Sequence, residues 1–532
     1  MNQSDAERIS AYLNKHKLKK ASSIDEAGLI IFVTCGVRQS AEDRVYGQIN
    51  NIKKKFQNKK IILTGCLAHR KDVRRRLKDK VDLFCGIKNF PKAVSPFLKG
   101  GLRGILKNNC NKINPSPALP LEKGESFDYL QITPKYTNKY TAYIPIMTGC
   151  NNFCAYCVVP YARGREYSRP ATDILKEVKS LVKKGYKEIV LLGQNVNSYY
   201  CHPKRNPDGL VGMQPRDLCV LADSKLLLSR EYSSTSLSTR SARSGSGRND
   251  KIINFPKLLQ LIEKIPGKFW LTFLTSHPKD MSGVLIETIA KSSKICEYVS
   301  LPAQSGDNEI LRNMNRKYSI EHYKNLIKKI RHSYAETKSP IGDLVSKLPP
   351  AISTDIIVGF PGETKEQFEN SAKLLRELKF DMAYIAQYSP RPETAAWKLK
   401  DNISRKEKER REKVLTEILS KTALANNKKY VGKIVEVLVD KKSPLIPLFE
   451  RGKPDSLPFA KGGLERDFRY LAHTRTQKKV IFSSNKKIPV GSFAKVKITK
   501  AKAFGLEGKE NRSLYEGTQL CLGVEPRVNR LL

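Results

Sequence analysis

The chain has 532 residues, room for several domains at roughly 150 residues each, which excludes a disulfide-stapled or metal-dependent miniprotein. Its 97 Lys and Arg against 52 Asp and Glu leave +45, which points to a polyanionic partner, nucleic acid ahead of an anionic membrane, with a uniformly basic solvated surface as the bland alternative. No apolar run approaches the ~18 residues of a membrane span and MNQSDAERIS is no signal peptide, so a cytoplasmic chain is expected, in which the 11 cysteines call for packing, metal or catalysis rather than disulfides.

The chain opens on SDAERISAYLNKH, where Ser4 and Glu7 have capping-box spacing and Ile9, Tyr12, Leu13 and His16 share a helical face. Three apolar β-rich runs follow, LIIFVTC (29–35), IILTGC (61–66) and VDLFCGI (81–87), separated by helical patterns. They predict a small doubly wound α/β domain over 1–105, with a linker or insert at 106–135. A second series runs through YIPIMTG (143–149), EIVLLGQN (188–195), LTFLTSHP (271–278), YVSLPAQSG (298–306), DIIVGFPG (355–362) and AYIAQYSP (383–390). Six βα units over 136–402 imply an open, partial barrel, whose ligands belong at the carboxyl ends of the strands, where Gly149, Gln194, Asn195, His277, Gln304, Ser305 and Gly359 fall. A charged connecting helix is predicted over 403–430. GKIVEVLVD, KKVIFSS and GSFAKVKITKAKAFGLEG then predict a small β-barrel of OB-like character over 431–508, before a tail at 509–532.

Residues 111–127, about 203–250, 336–350 and 442–467 are rich in Ser, Pro, Gly and charge and read as loops or inserts without chemistry. SPALPLEKGES (116–126) and SPLIPLFERGKPDS (443–456) resemble one another, as a short sequence inserted into two surface loops would.

The strongest local signal is Cys150-Asn151-Asn152-Phe153-Cys154-Ala155-Tyr156-Cys157, a C-x3-C-x2-C run directly after a predicted strand. Three thiolates in one loop suit three irons of a 4Fe–4S cube and leave the fourth iron for a small chelating ligand. A zinc site would need a fourth ligand, and the next candidates, Cys201 and His202, lie far along the chain beside an insert.

On this ground MTGCNNFCAYCVVPYARGREYSRP resembles the radical S-adenosylmethionine (SAM) motif as methylthiotransferases carry it, most of all the tRNA-modifying MiaB type. The resemblance continues in TCGVRQSAEDRVYGQI, TGCLAHR, LLGQNVNSY, SHP, LPAQSG, IIVGFPGET and YSPRPET, and in C-terminal strands similar to a TRAM domain. It implies that Cys150, Cys154 and Cys157 hold a 4Fe–4S cluster whose open iron binds SAM, which reductive cleavage turns into methionine and a 5′-deoxyadenosyl radical. The backbone near Tyr156, together with Gln194, Asn195, Gln304, Ser305 and Gly359 of the IIVGF strand, is then expected to contact SAM, although Gln or Asn at a strand end also serves as a loop cap, and Phe153 and Tyr156 also suit plain packing.

The family holds a second, auxiliary 4Fe–4S cluster through three cysteines, of which Cys35 and Cys66 match. Met1-Asn2-Gln3-Ser4-Asp5 corresponds to residues just past the third, so the resemblance implies a missing N-terminal strand with its cysteine and a poorly assembled auxiliary cluster. Cys85 is the positional substitute, with a buried strand cysteine as the plainer alternative, and the other cysteines read as structural or incidental. Arg163 and Arg165 are candidates for contacting substrate or bridging domains, while Arg70, Lys71, Arg74, Arg75, Arg76 and Lys78 form either a solvated helix face or a tRNA contact. The expected activity is methylthiolation of carbon 2 of an N(6)-isopentenyladenosine next to the anticodon of tRNA, by a monomer served by a reducing partner such as flavodoxin or ferredoxin. Rival readings are threonylcarbamoyl-adenosine in tRNA, an aspartate of a ribosomal protein, or a non-catalytic RNA-binding iron–sulfur protein.

Overall fold

The structure, a computed structural model, describes residues 1–36, 39–99, 129–201, 252–337, 349–442 and 468–511. The expected inserts at 111–127 and 203–250 lie outside the described residues, as do nearly all of those at 336–350 and 442–467, the tail beyond 511, and Cys110, His202, Cys219 and Cys521.

Strands Leu29–Thr34, Lys60–Gly65 and Leu83–Cys85 pair in parallel in that order, with Ile31 opposite Ile62 and Ile62 opposite Leu83. Alternation divides their apolar side chains between two faces. Ile30, Phe32, Ile61 and Leu63 pack with Ile49 and Ile52 of helix Gln39–Lys55 and Val73 and Leu77 of helix Lys71–Leu77. Ile31, Val33, Ile62 and Leu83 pack with Ile9 of helix Asn2–Lys15 and Phe90 and Val94 of helix Phe90–Lys99. Helices on both faces make the domain doubly wound, and each fully buried Ile or Leu contributes about 1.5–3 kcal/mol. The expected capping box at its start does not form. The first helix already runs from Asn2, so Ser4 and Glu7 lie inside it and buried, and the Glu7 carboxylate accepts from Thr137 N at 3.0 Å and Thr137 Oγ1 at 2.7 Å.

All six expected βα strands form: Thr141–Pro145, Glu188–Leu192, Trp270–Phe273, Tyr298–Ser300, Ala351–Val358 and Met382–Gln387. They make two parallel three-stranded ladders. The ladders meet at an isolated bridge between Leu271 and Ile295, so the barrel is partial and loosest at its centre. Ile144, Leu191, Leu271, Val299 and Ile356 join Val178, Leu259, Ile286, Ile327 and Leu375 of the covering helices in one core.

Helix Arg405–Lys428 leads into a closed barrel of Ile434–Lys442, Phe468–Thr474, Lys479–Ser484, Phe493–Lys502 and Gly505–Glu510. Phe468–Thr474 was not expected, because it begins where an insert-like composition ends. This small barrel docks at the amino ends of the parallel strands. Arg475 pairs with Glu297, just before the fourth strand, at 2.8 Å, and Lys478 pairs with Asp381, just before the sixth, at 2.6 Å. Trp270, which opens the third strand, packs against Leu438 and Phe493.

Candidate iron–sulfur site

The three-cysteine loop leaves the first barrel strand at its carboxyl end and is tied back at both its ends. Met147–Thr148 pairs antiparallel with Tyr167–Ser168, and Cys150 N donates to Gly164 O at 3.1 Å. Gly149 has φ +83 and a Cβ there would collide with the Arg165 carbonyl, so only glycine makes this turn. Within the loop, Phe153 is left-handed at φ +46, a costly state for a bulky residue and one typical of functional loops.

Asn152 Nδ2 donates to Cys150 Sγ at 3.6 Å. Burial pushes the Cys157 thiol up to about 12, and the neighbouring Cys154, Cys150 and Cys66 push it the same way. Burial likewise raises the Cys150 thiol. Thiols raised in this way favour a cation that compensates their thiolates, as iron does. Among the described residues no group of three or more His, Cys, Asp and Glu side chains stands ready to hold a metal ion, so fit rests on this donor chemistry.

Cys66 belongs to the N-terminal domain. Cys35 and Cys66 follow the ends of its first two parallel strands, and Cys66 N donates to Thr34 O at 3.1 Å. A Cβ on Gly36 would stand 3.2 Å from Cys66 Cβ and 3.4 Å from Val158 Cγ2, so the Cys35–Cys66 pair abuts the three-cysteine loop across the domain junction. The Met1 amino group lies among Asp5, Arg163, Cys35 and Cys66.

The barrel mouth beside the loop holds buried polar atoms without a partner: Gln194 Oε1, Asn195 Oδ1, both amide atoms of Asn197, and Ser276 Oγ. Orphaned buried atoms of this kind fit a polar ligand.

Residues 144–375 match the radical SAM superfamily, and residues 1–86 match the uncharacterized protein family UPF0004. A tRNA-2-methylthio-N(6)-dimethylallyladenosine synthase of Clostridium botulinum is 35% identical over 522 residues, covering 96% of this chain and 94% of that one. Synthases of the same name from Clostridium novyi and Thermoanaerobacter pseudethanolicus are also 35% identical, covering 96% of this chain and 94% and 90% of theirs. The chain belongs to the tRNA-2-methylthio-N(6)-dimethylallyladenosine synthase family. Membership in this radical SAM family of transferases implies one 4Fe–4S cluster and SAM.

The remaining expected site residues divide. Tyr156 is packed with Ala155, Phe360 and Tyr388 beside the cysteines. Asn195 is held by its Nδ2 donating to Asp280 Oδ2 at 2.7 Å, which leaves its Oδ1 free in the mouth. Gln304 is left-handed at φ +69, its backbone bridged to the fifth strand through Asp355 O and Ile357 N. Ser305 and Gly359 are engaged by their own neighbours. Ser305 is fully buried and its hydroxyl accepts from Asp307 N at 3.2 Å, so it shapes a turn. Gly359 N donates to Glu363 Oε2 at 2.7 Å, and the Lys408 side chain fills the space over Gly359.

Arg163 is 5% exposed and its Nη2 donates to Asp5 Oδ2 at 2.7 Å, so it bridges domains and presents no surface to a substrate. Arg165 is exposed, its guanidinium 4.5 Å from the centre of the Phe153 ring beside the cluster loop. Cys85 is buried in the apolar cluster of Ile9, Ile62 and Phe90, as the plainer alternative of a strand cysteine has it. In the basic run, Arg70 is buried on Glu42 at 2.7 Å and Asp72 at 2.5 Å, and is no RNA contact.

Sequence reasoning missed Asn315 and Arg316, which reach the cysteine loop from a turn 160 or so residues away, with no local pattern to mark them. It did not separate His277 from its neighbours either. Burial, then Arg316 and Lys279, hold the His277 imidazole down to about 2, so it is neutral, and its Nδ1 accepts from Lys279 N at 3.2 Å.

Proposed function

We infer that this protein transfers a methylthio group to carbon 2 of N(6)-isopentenyladenosine beside the anticodon of tRNA. The observation that carries the reading is the abutment of the three-cysteine loop on Cys35 and Cys66 across the domain junction, which would keep a radical source and a sulfur source within reach of one substrate base. Cys150, Cys154 and Cys157 would hold a 4Fe–4S cluster, and Cys35 and Cys66 would contribute to a second. When bound, the clusters and SAM supply the 5′-deoxyadenosyl radical, the sulfur and the methyl group.

The chain's own residues orient and enclose. Gln194, Asn195 and Gln304 line the strand ends where polar groups of SAM would be received, and Tyr156 packs behind the loop. Neutral His277 adds no further charge beside Arg316 and Tyr318. Arg165, exposed on the Phe153 ring, suits stacking on or pairing with a nucleotide of an open loop.

The +45 net charge supports tRNA as the polyanion. On the small barrel, Lys497 and Lys500 are exposed, while Val496 and Ile498 beside them point into the core. No described helix is long and apolar enough to cross a membrane. We propose a cytoplasmic monomer served by a reducing partner such as flavodoxin or ferredoxin.

Nucleoside analysis of tRNA from a host lacking this gene tests the reading. Complementation should restore the 2-methylthio nucleoside, and a Cys150→Ala, Cys154→Ala, Cys157→Ala triple variant should restore none. Restoration of a threonylcarbamoyl-derived nucleoside instead would reassign the substrate, and restoration by the triple variant would overturn the site.

A further inference from the structure

Eight arginines are buried among the described residues. Seven pair with a carboxylate: Arg8 and Arg169 with Glu177, Arg70 and Arg391 with Glu42, Arg163 with Asp5, Arg411 with Glu363 and Arg475 with Glu297. The eighth, Arg316, is 7% exposed and makes no ion pair with a carboxylate among the described residues. A buried charge without a counter-charge costs several kcal/mol, so its anion has to be found elsewhere.

The Arg316 side chain is aimed. Nε donates to Tyr318 Oη at 2.9 Å and Nη2 to Pro302 O at 3.1 Å, which leaves Nη1 directed at Cys154 Sγ, 3.4 Å away. Its two neighbours grip the same loop. Ala155 N donates to Met314 O at 2.9 Å, and Asn315 Nδ2 donates to Phe153 O at 2.9 Å. Three successive residues, Met314 to Arg316, thus hold three successive residues of the cysteine loop, Phe153 to Ala155. Both Phe153, at φ +46, and Asn315, at φ +54, adopt left-handed backbone to meet. The clasp explains how strain at Phe153 is maintained, and it places a fixed positive charge against one sulfur.

We propose that Arg316 is a positioning residue that sets the electron affinity of the iron–sulfur group held by Cys150, Cys154 and Cys157, through its contact with the Cys154 sulfur. The proposal rests on the reading of these cysteines as cluster ligands. A donor to a ligating sulfur, and a positive charge beside the group, favour the reduced state over the oxidised one. The neighbouring Asn315 contact carries no charge and serves the loop's shape alone.

The test is an anaerobic redox titration of the reconstituted full chain without SAM, followed by the electron paramagnetic resonance signal of the reduced cluster, with iron content measured alongside. Arg316→Gln should make reduction at least tenfold less favourable, a shift of 59 mV or more to negative potential for one electron. Arg316→Lys, which keeps the charge, should shift it less than half as far, and Asn315→Ala should leave it within a factor of two of the unmodified chain. An unchanged potential in Arg316→Gln overturns the proposal. Should that variant hold no cluster, Arg316→Lys decides: a cluster near the original potential supports the charge, and its loss or a shift of 59 mV or more refutes it. Failure of the unmodified chain to take up a cluster would instead count against the cysteine assignment.

Discussion

The two ends of the six-stranded barrel use polar groups in opposite ways. At the amino end, charged groups of the core meet charged groups of the small barrel: Glu297 with Arg475, Asp381 with Lys478, Glu188 with His473 and Lys268 with Glu436. At the carboxyl end, ion pairs again fasten a domain, Asp5 to Arg163 and Glu42 to Arg391, but inside this rim Gln194, Asn195, Asn197 and Ser276 keep buried atoms without partners. The same end carries the left-handed Phe153 and Gln304. A docking face pairs its charges with those of the domain seated on it because nothing else will arrive there. A ligand face carries unsatisfied atoms and strained backbone, both costly unless a ligand or the surrounding fold compensates them.

The largest effect is expected at the fastening of the carboxyl end. Asp5 is fully buried and Arg163 nearly so, so Asp5→Asn should leave an unpaired buried guanidinium and cost about 3–5 kcal/mol in denaturant unfolding. The double variant Asp5→Leu, Arg163→Met should recover much of that loss. A cost below about 1 kcal/mol would mean that the junction is solvated.

Titration separates the two ends next. Asp440 and Glu188 raise His473 from 6.5 to about 10 against the opposing effect of burial. A raised folded-state pKa contributes stability that is fully present below about pH 6.5 and is lost as pH rises through about 10. His277, lowered to about 2 mainly by burial, works in the other direction: its contribution is present above about pH 6.5 and is lost as pH falls below that value. Melting temperatures should therefore fall on the alkaline side less steeply in His473→Gln, and on the acid side less steeply in His277→Gln. Unchanged limbs in both variants would remove the distinction.

The smallest effect is expected from the insert between the second and third βα units. Tyr200–Cys201 pairs antiparallel with Ile253–Asn254, so the two flanks already lie side by side. Replacing 205–249 by a short turn should change melting temperature and tRNA modification little. Loss of soluble protein would show that the segment is needed for packing.

The continuous apolar runs made the parallel strands of both α/β units legible, because a strand covered by helices on both faces buries every side chain in succession. The C-x3-C-x2-C spacing likewise marked the cysteine loop, whose three thiols lie within eight residues. Local spacing also misled: Ser4 and Glu7 have capping geometry on paper, but the helix begins at Asn2 and tertiary contacts to Thr137 claim Glu7. Ser305 and Gly359 lie at the right strand ends, yet Asp307, Glu363 and Lys408 occupy them. What only the tertiary structure decided is where buried charges find partners. Arg163 meets Asp5 across 158 positions and Arg316 meets Cys154 across 162, separations at which no sequence pattern persists. A buried charge is tolerated only where the fold brings its counter-charge or an acceptor within a few ångströms, so its role is written by the packing of domains and not by the residues beside it.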